Sequence, residues 1–125
     1  MERLKGPFLV TSHQPLADLG NIDNPSEVQA LLYSEADKVL LAVNGHIRIN
    51  HLAKAGVLSY LHLNSASYKW VGESYRNRSN PAEVHSKFRW IEYACPYRES
   101  IFATLTLDPA NARIEVRGRK SQWIA

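Results

Sequence analysis

The stretch SIFATLTLDPANARIEVRGRK, residues 100–120, places a turn between two segments of alternating apolar and polar residues. Its centre, Asp108-Pro109-Ala110-Asn111, suits a four-residue turn because Asp accepts local hydrogen bonds, Pro fixes its own φ and Asn tolerates a left-handed backbone. We therefore predict an antiparallel hairpin with one apolar and one polar face. The predicted register pairs Leu107 with Ala112, Leu105 with Ile114 and Ala103 with Val116 on the apolar face, and Thr106 with Arg113, Thr104 with Glu115 and Phe102 with Arg117 on the polar face.

Length and composition indicate a globular protein, and we predict a single domain over residues 1–125. No apolar run approaches the ~20 residues that a membrane span requires, and Phe8-Leu9-Val10 is too short for the core of a secretion signal. Cys95 is the only cysteine, which excludes an internal disulfide bond and suits a reducing compartment. These observations predict a cytoplasmic protein without a membrane partner.

Positive charge is concentrated in the second half of the chain. Residues 1–68 contain 5 Lys or Arg and 6 Asp or Glu, whereas residues 69–125 contain 10 and 6. Seven of these ten cations are arginine, which forms bidentate contacts with phosphate and carboxylate groups. The net charge of +3 is small for a dedicated DNA-binding domain, so the composition allows a polyanionic partner without requiring one.

A helix is predicted to begin at Asn24-Pro25-Ser26-Glu27, which combines an N-cap residue, a proline at the first helical position and a glutamate at the third. Apolar residues at i, i+3 and i+4 continue this helix through about Ala36. Two interpretations remain open beyond it. The helix continues up to Asn44-Gly45, or Asn44-Gly45 is the turn of a hairpin formed by residues 38–43 and 46–50.

Residues 50–64 also fit two structures. Their apolar spacing suits a helix, with Asn50 as its cap and Asn64 as its stop. The segment VLSYLHL, residues 57–63, fits a strand equally well. We favour the helix.

Four shorter elements are predicted elsewhere. Residues 7–12 and 68–71 suit short strands, and Asn80-Pro81-Ala82-Glu83 repeats the capping pattern and predicts a short helix that ends near Ser86. The segment KFRWIEYA, residues 87–94, is rich in aromatic and β-branched residues and is predicted to be a strand.

These elements together predict an α+β fold. The N-terminal helix or helices pack on an antiparallel sheet, whose C-terminal part is a β-meander that includes the hairpin and runs over residues 87–119. Antiparallel sheets commonly bury one face and leave the other to solvent. We expect the exposed face to carry the function.

The exposed face of the meander is the predicted binding surface. Aromatic rings interleaved with arginines can stack on bases while the guanidinium groups contact phosphates. The alternative interpretation is that these side chains are only favourable cross-strand neighbours, and that Trp70 and Trp90 belong to the core. The predicted binding residues are Arg89, Phe102, Arg113, Arg117, Arg119, Lys120, Tyr68, Lys69, Trp70, Arg76 and Arg78.

Patterns for catalytic or cofactor chemistry are weak in this sequence. On a helix, His51 and His62 would lie too far apart to share one metal ion. His13, His46 and His85 have no partner at a recognisable ligand spacing, and the isolated glycines exclude a phosphate-binding P-loop. We therefore predict no cofactor and no metal site.

The leading hypothesis is a small non-enzymatic binding or adaptor protein that uses the basic, aromatic sheet face. Nucleic acid is one candidate partner, and another protein or a second copy of the chain is the other, since a hairpin edge can pair with a further strand. The alternative is an enzyme or small-ligand carrier, with a pocket between the helices and the sheet. That pocket would be lined by Tyr60, Trp70, Trp90 and Tyr93.

Overall fold

A computed structural model of the chain describes residues 6–17, 22–111 and 113–122. The chain divides into two compact units, the N-terminal unit Met1–Asn64 and the C-terminal unit Ser65–Ala125. The predicted single domain stays a prediction. The elements are β1 (Phe8–Ser12), α1 (Pro25–Ser34), β2 (Val39–Asn44), β3 (His51–Ala55), β4 (Leu58–His62), β5 (Tyr68–Trp70), α2 (Ala82–Lys87), β6 (Ala94–Pro96), β7 (Ala103–Asp108) and β8 (Arg113–Gly118), with 3₁₀ helices at Glu73–Tyr75 and Arg89–Tyr93.

The N-terminal unit contains a four-stranded mixed sheet in the order β1-β2-β4-β3. Strand β2 pairs parallel with both β1 and β4, and only β3 and β4 pair antiparallel. A parallel pair needs a crossover connection, and the segment that contains α1 supplies it between β1 and β2. The predicted fold, helices packed on an antiparallel sheet, is therefore wrong.

Strand β2 explains why both interpretations of the segment around Asn44-Gly45 are wrong. Its sequence VLLAVN is apolar at nearly every position, as expected of a central strand in a parallel sheet that is covered on both faces. Apolar spacing alone does not distinguish such a strand from a buried helix. After Asn44 the chain leaves the sheet, and residues 45–50 form no second strand.

Strands β3 and β4 form a hairpin where a helix was favoured over residues 50–64. Ala55 pairs with Leu58, which leaves Gly56-Val57 as a two-residue turn. Gly56 has φ +58°, and glycine with positive φ at the first central position is typical of a type II′ hairpin turn. The predicted helix is therefore wrong, and the strand alternative for residues 57–63 describes β4.

The core of the N-terminal unit joins α1 to β2 and β4. Leu32 of α1 is buried with Ala42 of β2 and with Leu58 and Tyr60 of β4. The predicted helix start is confirmed, but Asn24 makes no side-chain cap. Its Nδ2 instead donates a hydrogen bond to Oε2 of Glu27 at 3.3 Å.

The C-terminal unit contains two separate two-stranded antiparallel sheets, β5-β6 and β7-β8. The predicted strand over residues 87–94 is wrong, since α2 ends at Lys87 and the 3₁₀ helix Arg89–Tyr93 follows it. The predicted meander is wrong as well, because β6 pairs with β5 and not with the β7-β8 hairpin. The predicted strand near residues 68–71 and the short helix from residue 82 are confirmed.

The β7-β8 hairpin is confirmed, with a register that differs by two residues from the predicted one. Leu107 pairs with Ile114 instead of Ala112, which lies outside the described residues. A shift of two keeps every side chain on its predicted face, because side chains alternate with period 2. The turn is closed by Asn111, whose backbone N–H donates to Oδ1 of Asp108 at 3.2 Å. Hydrogen bonds from the Asn111 side chain and backbone lower the pKa of Asp108.

Over the ranges that the structure describes, no helix is both long and apolar enough to cross a membrane.

Candidate functional site

An aromatic stack in the C-terminal unit is built on the pairing of β5 with β6. Trp70 pairs with Ala94, and the next backbone N–H, that of Val71, donates to the carbonyl oxygen of Tyr93 at 2.8 Å. This pairing brings the ring of Trp70 beside that of Tyr93, with 5.6 Å between ring centroids and an interplanar angle of 27°. Stacked aromatic pairs of this kind contribute about 0.5–1.5 kcal/mol beyond their buried area.

Trp90 lies against the same Tyr93 ring, at 6.5 Å between centroids and an interplanar angle of 44°. Side chains at i and i+3 lie on one side of a 3₁₀ helix, and the helix Arg89–Tyr93 therefore places Trp90 and Tyr93 together. Trp90 is nevertheless 71% exposed. The interpretation of Trp90 as a core residue is wrong.

Arg76 completes what we call the Tyr93 cluster, formed by Trp70, Arg76, Trp90 and Tyr93. Its guanidinium carbon lies 5.5 Å from the centre of the Tyr93 ring, within the range of a cation–π interaction. Its Nε donates to Oε2 of Glu92 at 2.9 Å. This hydrogen bond lowers the pKa of Glu92 and raises that of Arg76, while desolvation raises the pKa of Tyr93.

Asn77 holds the segment with Arg76 and Arg78 against the 3₁₀ helix. Its backbone N–H donates to the carbonyl oxygen of Glu92 at 2.8 Å, and its side-chain Nδ2 reaches the carbonyl oxygen of Ala94 at 3.4 Å. Its Oδ1 accepts hydrogen bonds from the backbone and hydroxyl of Ser79. The two arginines are thus positioned by a hydrogen-bonded backbone.

Arg78 and Arg89 differ from Arg76 in their charge environment. Both are exposed, and neither has an ion pair among the described residues. Arg78 lies close enough to Glu92 to contribute to its lowered pKa. The two guanidinium groups are therefore available to an anionic ligand near the Tyr93 cluster.

The arginines of the hairpin are partly neutralised within the chain. Arg113 and Arg117 lie on the polar face of β8 and both approach Glu115, at 3.9 Å and 2.8 Å. Beyond the strand, Arg119 pairs with Glu99, and its guanidinium carbon lies 6.0 Å from the centre of the Phe102 ring. The predicted pairing of Phe102 with Arg117 is wrong, since Thr104 occupies that place.

The remaining predicted residues occupy different positions. Arg89 lies in the 3₁₀ helix and not on a strand beside the hairpin, as the meander would require. Tyr68 and Lys69 belong to β5 with Trp70, and Lys120 follows the end of β8. The structure thus brings Trp70 and Arg76 together through Tyr93, and Phe102 and Arg119 through their own contact.

Trp90 and Tyr93 were not among the residues predicted for the binding surface. Both were assigned to the wall of a pocket, together with Tyr60, which is fully buried in the core of the N-terminal unit. The available signal was the spacing of three between the two aromatic residues, which fits a 3₁₀ helix as well as the alternation of KFRWIEYA fits a strand.

The described part of the chain contains no group of three or more His, Cys, Asp or Glu residues that could hold a metal ion. Comparison with protein-family models, curated proteins and solved structures found no match to the chain.

Proposed function

We propose that the chain is a non-enzymatic binding protein whose C-terminal unit binds single-stranded nucleic acid at the Tyr93 cluster. The observation that carries the proposal is the exposure of Trp90, 71%, whose ring lies against Tyr93, which in turn stacks on Trp70. An exposed indole stacks on an unpaired base at little further cost, because its apolar face already lies in water.

The charges near the cluster suit a nucleic-acid backbone. Among the described residues, Arg78 and Arg89 have no carboxylate within ion-pair distance, although the charge of Arg78 acts on Glu92, so binding a phosphate would not first require an ion pair to break. Arg76, in contrast, is committed to Glu92 and to the Tyr93 ring, and it serves to hold the ring. The C-terminal unit carries 10 Lys or Arg against 6 Asp or Glu, which favours approach of a polyanion.

Single strands fit this site better than a duplex. Stacking on Trp90 requires a base that is not already stacked between its neighbours, and unstacking a duplex costs a few kcal/mol per step. We also place the protein in the cytoplasm, on the support of its single cysteine, Cys95, which suits a reducing compartment.

The test is an anisotropy titration of a labelled, mixed-sequence oligonucleotide of about 12 nucleotides across a salt series. If Arg78 and Arg89 each contact one phosphate, log Kd should change with log salt with a slope of magnitude about 1.4. The double substitution Arg78→Gln, Arg89→Gln should remove most of this slope. Lys54→Gln removes one positive charge at an exposed position in β3, as each of the two arginine substitutions does at its own position. It should leave the slope unchanged.

Three results would contradict the proposal. They are no binding at low salt, equal affinity for the matching duplex, and an equal loss of salt dependence in the Lys54→Gln variant.

A further inference from the structure

The carboxyl ends of β1 and β2 bring two histidines together. These strands run parallel, and their last residues, Ser12 and Asn44, form a register pair. The backbone N–H of Gly45 then donates to the carbonyl oxygen of His13 at 3.2 Å, which extends the pairing by one residue. His13 and His46 therefore leave adjacent strands at the same edge of the sheet, the edge at which ligands commonly bind to sheets with parallel strands.

One nitrogen atom of each imidazole ring faces a nitrogen atom of the other ring. Nε2 of His13 and Nδ1 of His46 are 3.1 Å apart, and the rings meet edge to face with 5.1 Å between centroids. Both side chains are exposed. Two nitrogens that coordinate a tetrahedral ion at 2.0–2.1 Å lie about 3.3 Å from each other. A metal ion would thus require the rings to separate by only a few tenths of an ångström.

The backbone at His46 is held in a conformation that histidine adopts rarely. Its φ is +65°, and the backbone N–H of Ile47 donates to the carbonyl oxygen of Gly45 at 2.8 Å across it. This is a γ-turn with positive φ, the rarer and more strained form. Glycine would occupy this turn at lower cost, because a positive φ is uncommon for a residue that has a Cβ.

Two buried amide oxygens adjoin the histidines in the chain. Asn44 is 2% exposed, and its Nδ2 donates to Oγ of Ser12 at 2.6 Å and to the carbonyl oxygen of Gln14 at 3.3 Å. Among the described residues, Oδ1 of Asn44 and Oε1 of Gln14 have no hydrogen-bond donor. A buried acceptor without a donor is unfavourable, so the chain next to the two histidines carries two unsatisfied polar atoms.

We propose that His13 and His46 together bind one divalent ion of the late first-row transition series, Cu²⁺, Ni²⁺ or Zn²⁺. Imidazole nitrogen is a preferred ligand of all three ions, and affinity should be highest for Cu²⁺. The chain supplies two ligands, so the remaining coordination positions are open to water or to a small ligand. The sequence separation of 33 between the histidines hides this pair from any search by ligand spacing.

Isothermal titration of the full chain with NiCl₂ and CuCl₂ tests the proposal, with one ion per chain expected. His13→Gln and His46→Asn should each weaken binding at least about tenfold, since each removes one of two ligands. Asparagine is chosen at position 46 because it tolerates positive φ. His85→Gln, at a histidine of α2 in the C-terminal unit, should leave the affinity unchanged.

A second measurement uses the unsubstituted protein, so its result does not depend on whether the variants fold. On addition of Zn²⁺, the imidazole ¹⁵N signals of His13 and His46 should shift together, and those of His85 should not. Absence of binding, or shifts confined to other histidines, would overturn the proposal. So would an equal loss of affinity in the His85→Gln variant.

Discussion

Tyr60 and Trp90 show how differently the two units use their aromatic side chains. Tyr60 is 0% exposed in the core of the N-terminal unit, whereas Trp90 is 71% exposed in the C-terminal unit. Among the described hydrophobic residues that are buried, only Cys95 belongs to the C-terminal unit. The N-terminal unit is thus organised around a packed core, and the C-terminal unit leaves several large rings, such as Trp90 and Phe102, in water, which is what a stacking surface for a ligand requires.

Truncation of Tyr60 in the core of the N-terminal unit should change stability the most. Tyr60→Ala should lower the free energy of unfolding by about 3–5 kcal/mol, because it removes a fully buried ring and leaves a cavity. Trp90→Ala should cost about 1 kcal/mol or less, the value of its contact with Tyr93. Urea denaturation followed by circular dichroism measures both. Equal costs for the two variants would contradict the division of roles between them.

The second-largest loss of stability is expected from replacing Gly56 in the turn of the β3-β4 hairpin. Gly56→Ala should cost about 1–2 kcal/mol, since alanine is strained at positive φ. The added Cβ would also lie 3.2 Å from Cε1 of Tyr33. Gly118→Ala is the matched control, because nothing lies within 4 Å of its Cβ and its φ is not in the left-handed range. Thermal denaturation of both variants checks the prediction, and an undiminished melting temperature for Gly56→Ala would contradict it.

Tyr60→Phe separates the ring of Tyr60 from its hydroxyl. The hydroxyl is buried and has no hydrogen-bond partner among the described residues, and burial raises its pKa. Removing a buried polar group without a partner should leave stability unchanged or raise it by up to about 1 kcal/mol. A loss greater than about 1 kcal/mol in urea denaturation would show that the hydroxyl has a partner in solution.

The smallest expected effect is the pH dependence of stability that the pair of Glu92 and Arg76 contributes. Hydrogen bonding to Arg76 lowers the pKa of Glu92 below its ordinary value of 4.5, so this pair stabilises the folded state above that pH. The stabilisation is lost as pH falls through the lower, folded-state pKa. The stability difference between the native protein and Glu92→Gln should therefore shrink as pH is lowered from about 7 to about 3. Glu83→Gln, at an exposed position of α2, serves as the control variant in the same denaturation series.

Local chemistry made the β7-β8 hairpin predictable. The turn Asp108-Pro109-Ala110-Asn111 and the alternation on both sides of it lie within one short segment. The partition into an apolar and a polar face survived a register error of two residues, because only odd shifts exchange the faces. Local capping patterns in the sequence likewise predicted the start of α1 and the position of α2.

The sheet of the N-terminal unit could not be predicted in this way. The parallel pairing of β2 with β1 and β4 joins segments that are distant in the chain, and apolar spacing in residues 38–63 suited helices as well as strands. The strand predicted for KFRWIEYA was wrong for a related reason, since strand propensity takes effect only where a neighbouring strand is available for pairing. Here the chain forms a 3₁₀ helix instead.

The candidate site was only partly accessible from the sequence. Trp70, Arg76, Arg78 and Arg89 were assigned to a binding surface from their residue types, but the ring that joins two of them, Tyr93, was not. The enzyme or small-ligand carrier considered at the sequence level stays a prediction. So do the protein partner and self-association.

The decisive comparison is the affinity of the native protein and of Trp90→Ala for the single-stranded oligonucleotide. The variant should bind about 5- to 150-fold more weakly, because it loses one base–aromatic stack of about 1–3 kcal/mol. Leu31→Ala, which removes an exposed apolar side chain from α1, should bind as the native protein does. Unchanged affinity in Trp90→Ala, with the native fold confirmed by circular dichroism, would contradict the account.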